Sequence, residues 1–399
     1  MSGSLARPAL ILGLLSCIGP FAIDMYLPAM PVIGDSLGVS PMIMQSTITA
    51  YFASFGIAQM FYGPWADQSG RKLPLYAGIG MFILGTILCM TATSATGLIA
   101  GRFVQGMGGA ALGVVPRAIV RDMMTGAEAT NMMAKIMLTF SVSPMLAPLV
   151  GTALMVITGW RGIFATLLVA ALASLALLAW AQPETLAPEN RRPFKMSFLL
   201  KGCAELFVDK TFLLLTFIGA FGFGSFFIFL ASASYVYQQG FGLSSTGFSL
   251  AFAVNAIAFI GASQGASRAT VRFGNMPVLI WASTGFALAT GGLFVLALMG
   301  LVNLWVCMVG LALGNACLGL IVPATMVMAL DDQGDKAGLA SSLGGTLQML
   351  AGGVMVVALG PWLGASPTPM IGGIAFAALV TLILTLLVPK PQAAERTPA

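Results

Sequence analysis

Two charged side chains lie inside stretches of sequence that are otherwise apolar, and together they could handle a proton. Asp24 interrupts the stretch that contains GPFAIDMYLPAMP, and Arg102 interrupts a second apolar stretch. Charge is costly in a hydrocarbon interior, so charged residues found there are candidates for function. Burial disfavours the ionised form of a carboxyl group and a nearby arginine favours it, so a change of surroundings could load or release a proton. The sequence thus predicts that Asp24 and Arg102 couple a proton to some other event.

The rest of the composition leaves Asp24 as the main candidate for the proton carrier. The chain has no histidine, and of its 13 acidic residues only Asp24 lies deep within an apolar stretch. The alternative is structural, with Asp24 capping a helix break at Pro20 or Pro28. The five cysteines form no CxxC pattern, which favours free packing residues over disulfides or a metal site.

The elements that must position these side chains are membrane helices. The chain has 399 residues, of which 58% are hydrophobic and 8% charged, whereas soluble domains carry about 25% charge. A membrane-spanning helix needs about 20 apolar residues. The sequence predicts an all-α integral membrane protein with twelve spans, at 8–30, 44–66, 74–94, 97–118, 132–157, 162–182, 211–235, 247–266, 277–297, 303–328, 337–360 and 369–388.

The spans can be oriented and their depths compared. Almost all lysines and arginines fall on one side if both termini are cytoplasmic, and Arg161 alone falls outside. The net charge of +5 therefore reports topology, not nucleic-acid binding. Asp24 would lie about seven residues, or about 10 Å, from the outer end of the first span, and Arg102 about 8 Å from that of the fourth. The two are predicted at similar depth.

A polar stretch divides the spans into two sets of six. It is PETLAPENRRPFK, and we expect a first bundle at 1–185, a linker at 186–210 and a second bundle at 211–399. The linker continues as MSFLLKGCAELFVDK, which could lie on the membrane surface or be a plain amphipathic connector. The halves are weakly similar: aligning Gly70 with Gly274 matches two basic loops, and such repetition about a central cavity is common in transporters.

Polar and aromatic residues within spans supply a tentative substrate cavity. Each could equally serve helix packing or face lipid. The cavity candidates are Tyr26, Gln105, Phe223, Phe227, Tyr235 and Asn255. The sequence contains no phosphate-binding GxxxxGK[ST] loop, no HExxH and no GxSxG, so we expect no ATP, no metal, no cofactor other than the proton gradient, and no enzyme activity.

The loop after the second span resembles a known signature. In GPWADQSGRK, the residues Gly63, Asp67, Gly70, Arg71 and Lys72 are similar to the G-x-x-x-D-x-x-G-R-K/R motif of the major facilitator superfamily. The fourth span, RFVQGMGGAALGVVPRAIVRD, resembles the second motif of that superfamily. With DMYLPAMP and SASYVYQQGFGLS, the whole chain looks like a Bcr/CflA-type drug:proton antiporter, which implies two six-helix bundles related by a pseudo-twofold axis.

The resemblance also implies roles for individual residues. Asp67 and Arg71 would help to close the cytoplasmic side, with Asp122 as the partner of Arg71 and Arg121 nearby. Such a lock must open in each cycle, which suits partly solvated ion pairs worth about 1 kcal/mol or less. The antiporter motif G-x-x-x-G-P-x-x-G-G is matched in the fifth span by Pro148 and Gly151, and Pro144 and Pro148 are expected to kink the helix. Ala147 and Thr152 replace two of its glycines.

The sequence therefore predicts proton-coupled efflux of small amphipathic compounds across the bacterial inner membrane by alternating access, as in antibiotic resistance. The partners would be drug-like molecules, protons and lipid, and the chain would be monomeric. The alternative is proton-coupled uptake of a small metabolite on the same fold. A reading from another class is a membrane-embedded enzyme or a sensor that transports nothing.

Overall fold

The computed structural model describes residues 6–124, 126–191, 193, 196–331 and 333–389. Every regular element within these residues is helical. The α-helices are α1 Ala6–Asp24, α2 Met30–Leu37, α3 Pro41–Ser69, α4 Lys72–Thr91, α5 Ala95–Met123, α6 Gly126–Thr158, α7 Trp160–Ala181, α8 Met196–Val208, α9 Lys210–Tyr235, α10 Ser245–Phe273, α11 Asn275–Leu298, α12 Leu304–Asp331, α13 Ala337–Leu359 and α14 Pro367–Leu387. A 3-10 turn at Leu27–Ala29 and a π-helical turn at Val236–Gly240 extend α1 and α9.

These helices are long and apolar enough for a membrane protein. In the described part of the chain, ten helical segments could cross a membrane by length and composition. The apolar stretch Val142–Thr158 within α6 adds an eleventh, and α3, with 29 residues, is the twelfth long helix. The predicted all-helical membrane fold is thereby confirmed. Helices α3 and α5 extend beyond their predicted ends, to Ser69 and Met123, because residues that emerge from the membrane can still form helical hydrogen bonds.

The first span is not the continuous helix that the sequence predicted over 8–30. Helix α1 ends at Asp24, the 3-10 turn follows, and α2 carries the span on to Leu37. The cause is Pro28, which has no amide to donate to the carbonyl of Asp24 and whose ring clashes with it. Asp24 therefore lies at a helix break and deeper than predicted, since the span Ile11–Leu37 runs well beyond it.

Contacts divide the helices into two sets that meet along two seams. Helices α1 and α3–α7 pack among themselves, and so do α9–α14. The seams between these halves are formed by α3 with α13 and by α6 with α10. The bundle ends that hold residues 38–40 and 241–244 are called outer here, after the predicted orientation, and the opposite ends inner. The limits 1–185, 186–210 and 211–399 stay a prediction.

The outer ends of the two halves are in contact. Tyr235 at the end of α9 donates its hydroxyl to the carbonyl of Met30 at 3.3 Å, and Gln238 donates to the carbonyl of Pro28 at 3.1 Å. Further in, the ring of Phe52 on α3 stacks on Phe227 of α9, with centroids 4.0 Å apart. The halves thus meet on the outer side of the molecule.

Glycines on α5 let its backbone approach both neighbouring helices. A Cβ at Gly106 would lie 2.2 Å from the carbonyl oxygen of Tyr51 on α3, and one at Gly108 would lie 2.3 Å from the amide of Phe82 on α4. No side chain fits at either distance, so both positions require glycine. This close packing seats Arg102 and Gln105, on the preceding turns of α5, in a fully buried interior.

The linker helix α8 packs on the protein. Its residues Leu199, Cys203 and Leu206 are buried against Ala340 and Leu343 of α13, among others. Glu205 of α8 forms an ion pair with Lys336, which precedes α13. The amphipathic pattern of this segment therefore serves contact with the second half, although Leu200 and Val208 remain exposed.

Candidate functional site

Asp24 is buried at the end of α1 with a neutral partner. Only 6% of the residue is exposed, and its Oδ2 accepts a hydrogen bond from the hydroxyl of Ser143 on α6 at 3.2 Å. The amides of Met25 and Tyr26 beside the break bond to backbone carbonyls of α1, so they do not need the Asp24 carboxylate as a cap. Ser143 was not among the residues predicted from the sequence. Its signal was a polar residue directly before Pro144 in an apolar span.

Arg102 is the largest fully buried side chain among the described residues. Its Nη1 donates to the carbonyl of Ala22 at 3.0 Å and to Oε1 of Gln105 at 2.7 Å. The guanidinium lies between two aromatic rings, 4.7 Å from the centroid of Tyr26 and 4.5 Å from that of Tyr51. Such cation–π contacts stabilise a desolvated cation by roughly 2 kcal/mol. Nε and Nη2 have no acceptor among the described residues.

Asp24 and Arg102 are neighbours without being an ion pair. Arg102 bonds to the carbonyl of Ala22, two residues before Asp24, yet no ion pair joins the two charged groups within the described residues. Each is held by neutral groups instead. An acid and a base arranged in this way can exchange partners when helices move, because the free Nε–Nη2 edge of Arg102 matches the two oxygens of a carboxylate.

Two predicted cavity residues take part in holding Arg102. Gln105 accepts from Arg102 and donates to the hydroxyl of Thr86 at 2.8 Å, and the hydroxyl of Tyr26 bonds to that of Thr47 at 2.8 Å. Tyr51, which the sequence analysis did not single out, donates to the carbonyl of Gly19 at 3.4 Å. Tyr26 and Gln105 are therefore brought together around the guanidinium.

The other cavity candidates lie apart from this cluster. Phe223 packs edge-on against Phe227, which stacks on Phe52 of the first half. Tyr235 contacts Met30 at the outer end. Asn255 is buried in the second half, where its Oδ1 accepts from Asn315 at 3.1 Å. The structure thus places these four residues in three separate neighbourhoods, two of them at the meeting surface of the halves.

The motif in the fifth span places a glycine against the break after Asp24. Helix α6 runs through Pro144 and Pro148 without interruption. A Cβ at Gly151 would lie 2.2 Å from the carbonyl oxygen of Met25, so only glycine lets α6 approach the break so closely. Helix α6 therefore contacts the Asp24 region at two points, through Ser143 and through Gly151.

A second cluster lies at the inner end of the first half. Arg71 donates from Nη1 to Asp67 at 2.5 Å, and from Nε and Nη2 to the two oxygens of Asp122 at 2.7 and 3.1 Å. The Arg71 side chain is only 7% exposed, against 53% for Asp67 and 16% for Asp122. Burial acts to lower the pKa of Arg71, but its bonds to both carboxylates raise that pKa above its ordinary value. The pair of Arg71 with Asp67 is thus partly solvated, as the sequence predicted, and the pair of Arg71 with Asp122 is the more buried of the two.

Glu184 completes this cluster and was not predicted. Its carboxylate accepts backbone N–H bonds from Arg71 and Lys72, at 2.8 and 3.1 Å, and from Thr185 and Leu186 at 3.0 Å. Partial burial acts to raise the pKa of Glu184, but these backbone bonds together hold that pKa below its ordinary value. A carboxylate that caps the start of α4 is favourable because helix N-termini carry partial positive charge.

The remaining predicted residues of the cluster play different parts. Gly70 has φ +91°, a conformation that favours glycine, and a Cβ there would lie 2.6 Å from Oε2 of Glu184. Lys72 lies over the ring of Tyr76, 5.7 Å from its centroid. Arg121 is exposed, and a Cβ at Gly63 would meet nothing within 4 Å. All contacts of Arg71 described here stay within the first half.

Comparisons with known proteins agree with this architecture. The sequence model described as Major Facilitator Superfamily matches residues 12–356. The chain is 32% identical to the bicyclomycin resistance protein homolog of Haemophilus influenzae, over 87% of each chain, and 32% identical to multidrug resistance protein D of Escherichia coli, over 87% of this chain and 86% of that one. Its fold is similar to that of a solved D-xylose–proton symporter, with a TM-score of 0.76, 13% identity, and coverage of 96% of this chain and 97% of the other.

Proposed function

The chain belongs to the Major Facilitator Superfamily, and on that premise we propose that it exports small amphipathic, drug-like compounds in exchange for protons. The relatives named as bicyclomycin and multidrug resistance proteins support the export of drugs. Membership of a transporter family also favours a transporter over an enzyme. The direction of transport and the proton coupling are parts of the proposal.

The proposal of proton coupling rests on one observation: Asp24 and Arg102 are each hydrogen-bonded to neutral groups and not to each other. Its carboxylate is buried, it accepts one bond from a hydroxyl, and the adjacent Arg102 points its Nη1 at neutral oxygens. In hydrocarbon surroundings an ionised carboxylate needs a cationic partner, and a proton removes that need. We infer that Asp24 exchanges between a protonated form bonded to Ser143 and an ionised form paired with Arg102.

We place the protein in the bacterial inner membrane with both termini in the cytoplasm. The apolar helices make it a multi-pass membrane protein, and the distribution of basic residues supports this orientation. Two bundles, at 1–185 and 211–399, would rock about the seams so that the site faces each side in turn. The scarcity of charge among the cavity candidates favours neutral or lipophilic substrates, carried by a monomer.

We also propose that Asp67, Arg71 and Asp122 regulate closure of the inner side. In the present arrangement they join the inner ends of α3, α4 and α5, and Glu184, just before the linker, binds at the same place. The cluster would thus keep the inner end of the first half rigid while it moves against the second half. Its role is conformational and involves no contact with substrate.

The export proposal is tested by a drug-susceptibility panel in an efflux-deficient bacterial host. We compare the wild type with Asp24→Asn and with Asp35→Asn, whose exposed carboxylate lies on α2 of the same span. We expect the wild type and Asp35→Asn to confer resistance to at least one amphipathic drug and Asp24→Asn to confer none, with equal amounts of protein in the membrane. Normal export by Asp24→Asn would show that Asp24 is not the coupling residue.

The alternative of uptake makes a different prediction. A gene-dependent gain of growth on a single carbon source, with no change in drug accumulation, would favour metabolite uptake and contradict export. Turnover of a compound into a new chemical species in proteoliposomes would instead indicate an enzyme.

The conformational role of the inner cluster needs a binding measurement. Asp67→Asn should reduce the rate of drug exchange while substrate affinity stays unchanged, and Glu189→Gln, an exposed linker acid, should change neither. An equal loss of affinity and rate in Asp67→Asn would contradict a purely conformational role.

A further inference from the structure

Helix α6 connects the Asp24 site with the meeting surface of the two halves. Ser143 bonds to Asp24, Gly151 packs on the carbonyl of Met25, and Thr152 faces the second half. Ser143 and Thr152 are about 14 Å apart along the helix axis. Because an α-helix of this length moves largely as a unit, a displacement at Ser143 is transmitted to Thr152.

The contact of Thr152 is a hydrogen bond between the halves. Its Oγ1 lies 3.0 Å from Oγ of Ser249 on α10 and 3.4 Å from the carbonyl oxygen of Ser245. The hydroxyl of Ser249 donates to that same carbonyl at 3.0 Å, which leaves the Thr152 hydroxyl to donate to Ser249 or to the Ser245 carbonyl. Thr152 is 5% exposed and Ser249 is fully buried. Both residues lie toward the outer ends of their helices.

We propose that Thr152 is a positioning residue for the exchange, whose hydroxyl latches the outer ends of the two halves together from the helix that holds Asp24 through Ser143. This inference rests on the proposed function for its meaning in the transport cycle. The latch is present when the outer side is closed and must break when it opens. The antiporter motif has glycine at this position, and glycine cannot form the bond, so the latch is a feature of this chain.

Another threonine hydroxyl that joins the halves provides a matched control. Thr346 on α13 donates to the carbonyl of Gly56 on α3 at 2.6 Å. It lies near the middle of α13 and not toward its outer end. Two halves that rock about the centre of the membrane keep central contacts in both states and break peripheral ones. Removal of the Thr346 hydroxyl should therefore not favour opening of the outer side.

The latch is tested by measuring the outer separation of the halves. Spin labels are placed at Ser40→Cys and Ser366→Cys, two exposed serines that cap no helix through their side chains, after the five native cysteines are replaced by alanine. Distances are then measured by pulsed electron paramagnetic resonance in nanodiscs without substrate. We expect Thr152→Val to raise the ratio of outer-open to outer-closed molecules about fivefold, equivalent to about 1 kcal/mol.

Three further variants decide the outcome. Thr152→Ser, which keeps the hydroxyl, should return the ratio to that of the wild type, Ser249→Ala should raise it from the other half, and Thr346→Val should leave it unchanged. An unchanged ratio in both Thr152→Val and Ser249→Ala would overturn the latch. A comparable rise of the ratio in Thr346→Val would overturn the claim that only a bond near the outer ends of the helices opposes opening of the outer side.

The connection to Asp24 is tested separately by Ser143→Ala. If α6 transmits the displacement, the fold-changes of Ser143→Ala and Thr152→Val are not multiplicative in the double variant, whereas independent sites would multiply. Multiplicative effects would overturn the connection while leaving the latch. None of these distances requires transport, so a failure to find drug export would count against the proposed function and not against the latch.

Discussion

The inner turns of the two halves have the same backbone and different chemistry. Gly70, between α3 and α4, has φ 91° and ψ 169°, and Gly274, between α10 and α11, has φ 86° and ψ 156°. Arg71 follows the first glycine and binds two carboxylates. At the second turn Arg272 lies 5.1 Å from the ring centroid of Phe273, and no ion pair of a described residue involves it. The fold repeats the turn, but only one copy carries the charge cluster.

The polar centres of the halves differ in the same way. The first half buries Asp24 and Arg102, whereas the second holds an amide pair of the buried Asn255 and the half-buried Asn315. Amides bond in one fixed charge state, while a carboxyl group changes its charge with a proton. A repeated scaffold has thus been given ionisable groups in one half and neutral ones in the other.

Removal of the buried Arg102 charge from the first half should have the largest effect on drug exchange and on stability. In Arg102→Met, the carbonyl of Ala22 and Oε1 of Gln105 lose their donor, and each unpaired buried acceptor costs about 1–3 kcal/mol. We expect drug exchange in proteoliposomes to be abolished and thermal stability in detergent to fall. Asn315→Leu removes a single neutral bond from the second half and should keep exchange within severalfold of the wild type. Equal losses of drug exchange in Arg102→Met and Asn315→Leu would show that the polar centres of the two halves contribute equally to transport.

The inner turns are compared next by removing one arginine from each. Arg71→Met leaves the mostly buried Asp122 without its guanidinium partner, which should lower the free energy of unfolding by about 1–3 kcal/mol. Arg272→Met should change it by about 0.5 kcal/mol or less, as for most surface substitutions. Thermal unfolding followed by tryptophan fluorescence gives both values. A loss of similar size in Arg272→Met would argue for an ion pair at the second turn.

Substitution of the two glycines distinguishes the cost of backbone strain from the cost of a clash with Glu184. Alanine at either position must adopt a positive φ with an extended ψ, a backbone region almost confined to glycine, at a cost of about 1–3 kcal/mol. Gly70→Ala should cost more than Gly274→Ala, because its Cβ would lie 2.6 Å from Glu184, whereas that at Gly274 would lie 3.6 Å from Pro277. The same unfolding assay measures the difference, and Glu184→Ala in the Gly70→Ala background should remove part of it. If Gly70→Ala and Gly274→Ala lowered the free energy of unfolding equally, the Glu184 side chain would have to move away from the new Cβ at no cost.

The smallest effect concerns the pH dependence of the first turn. The pKa of Glu184 is lower in the folded protein than its ordinary value of 4.5. The stabilisation from its ionised form is therefore complete above the unfolded pKa and is lost as pH falls through the folded pKa. The unfolding temperature of the wild type should exceed that of Glu184→Gln near pH 7, and the difference should shrink below about pH 4.5. Glu189→Gln should show no such convergence, and a constant difference for Glu184→Gln would contradict the prediction.

The sequence predicted the spans well because membrane helices are recognised by their length and their apolar composition. It also predicted Asp24 and Arg102 at similar depth, although that depth estimate assumed a continuous first helix. Pro28 was evident in the sequence, but whether a proline bends a helix or ends it depends on the tertiary packing around it. Here Gly151 packs closely against the backbone beside the break. The aromatic residues of α9 could not be assigned from spacing, since every side of a membrane helix is apolar.

Ser143 and Glu184 show what sequence spacing could not supply. Both act on groups more than 100 residues away, Ser143 on Asp24 and Glu184 on the start of α4. Neither residue type is unusual where it stands: a serine in a span and a glutamate in a linker are common. Only the folded arrangement of α6 and the linker shows that each binds a residue the sequence had already selected.

The fixed charge of Arg102 connects the chain to the electrical potential across the membrane. When Asp24 is ionised the pair is neutral, and when Asp24 carries a proton the pair has one net positive charge. Under the proposed exchange of one proton for one neutral molecule, the proton-loaded site crosses the field with that charge, whereas the drug-loaded site, in which Asp24 is ionised, crosses without net charge. One charge moving through 100 mV corresponds to about 2.3 kcal/mol. Voltage would therefore drive the cycle as directly as a difference in pH, and export should persist when the pH gradient alone is collapsed.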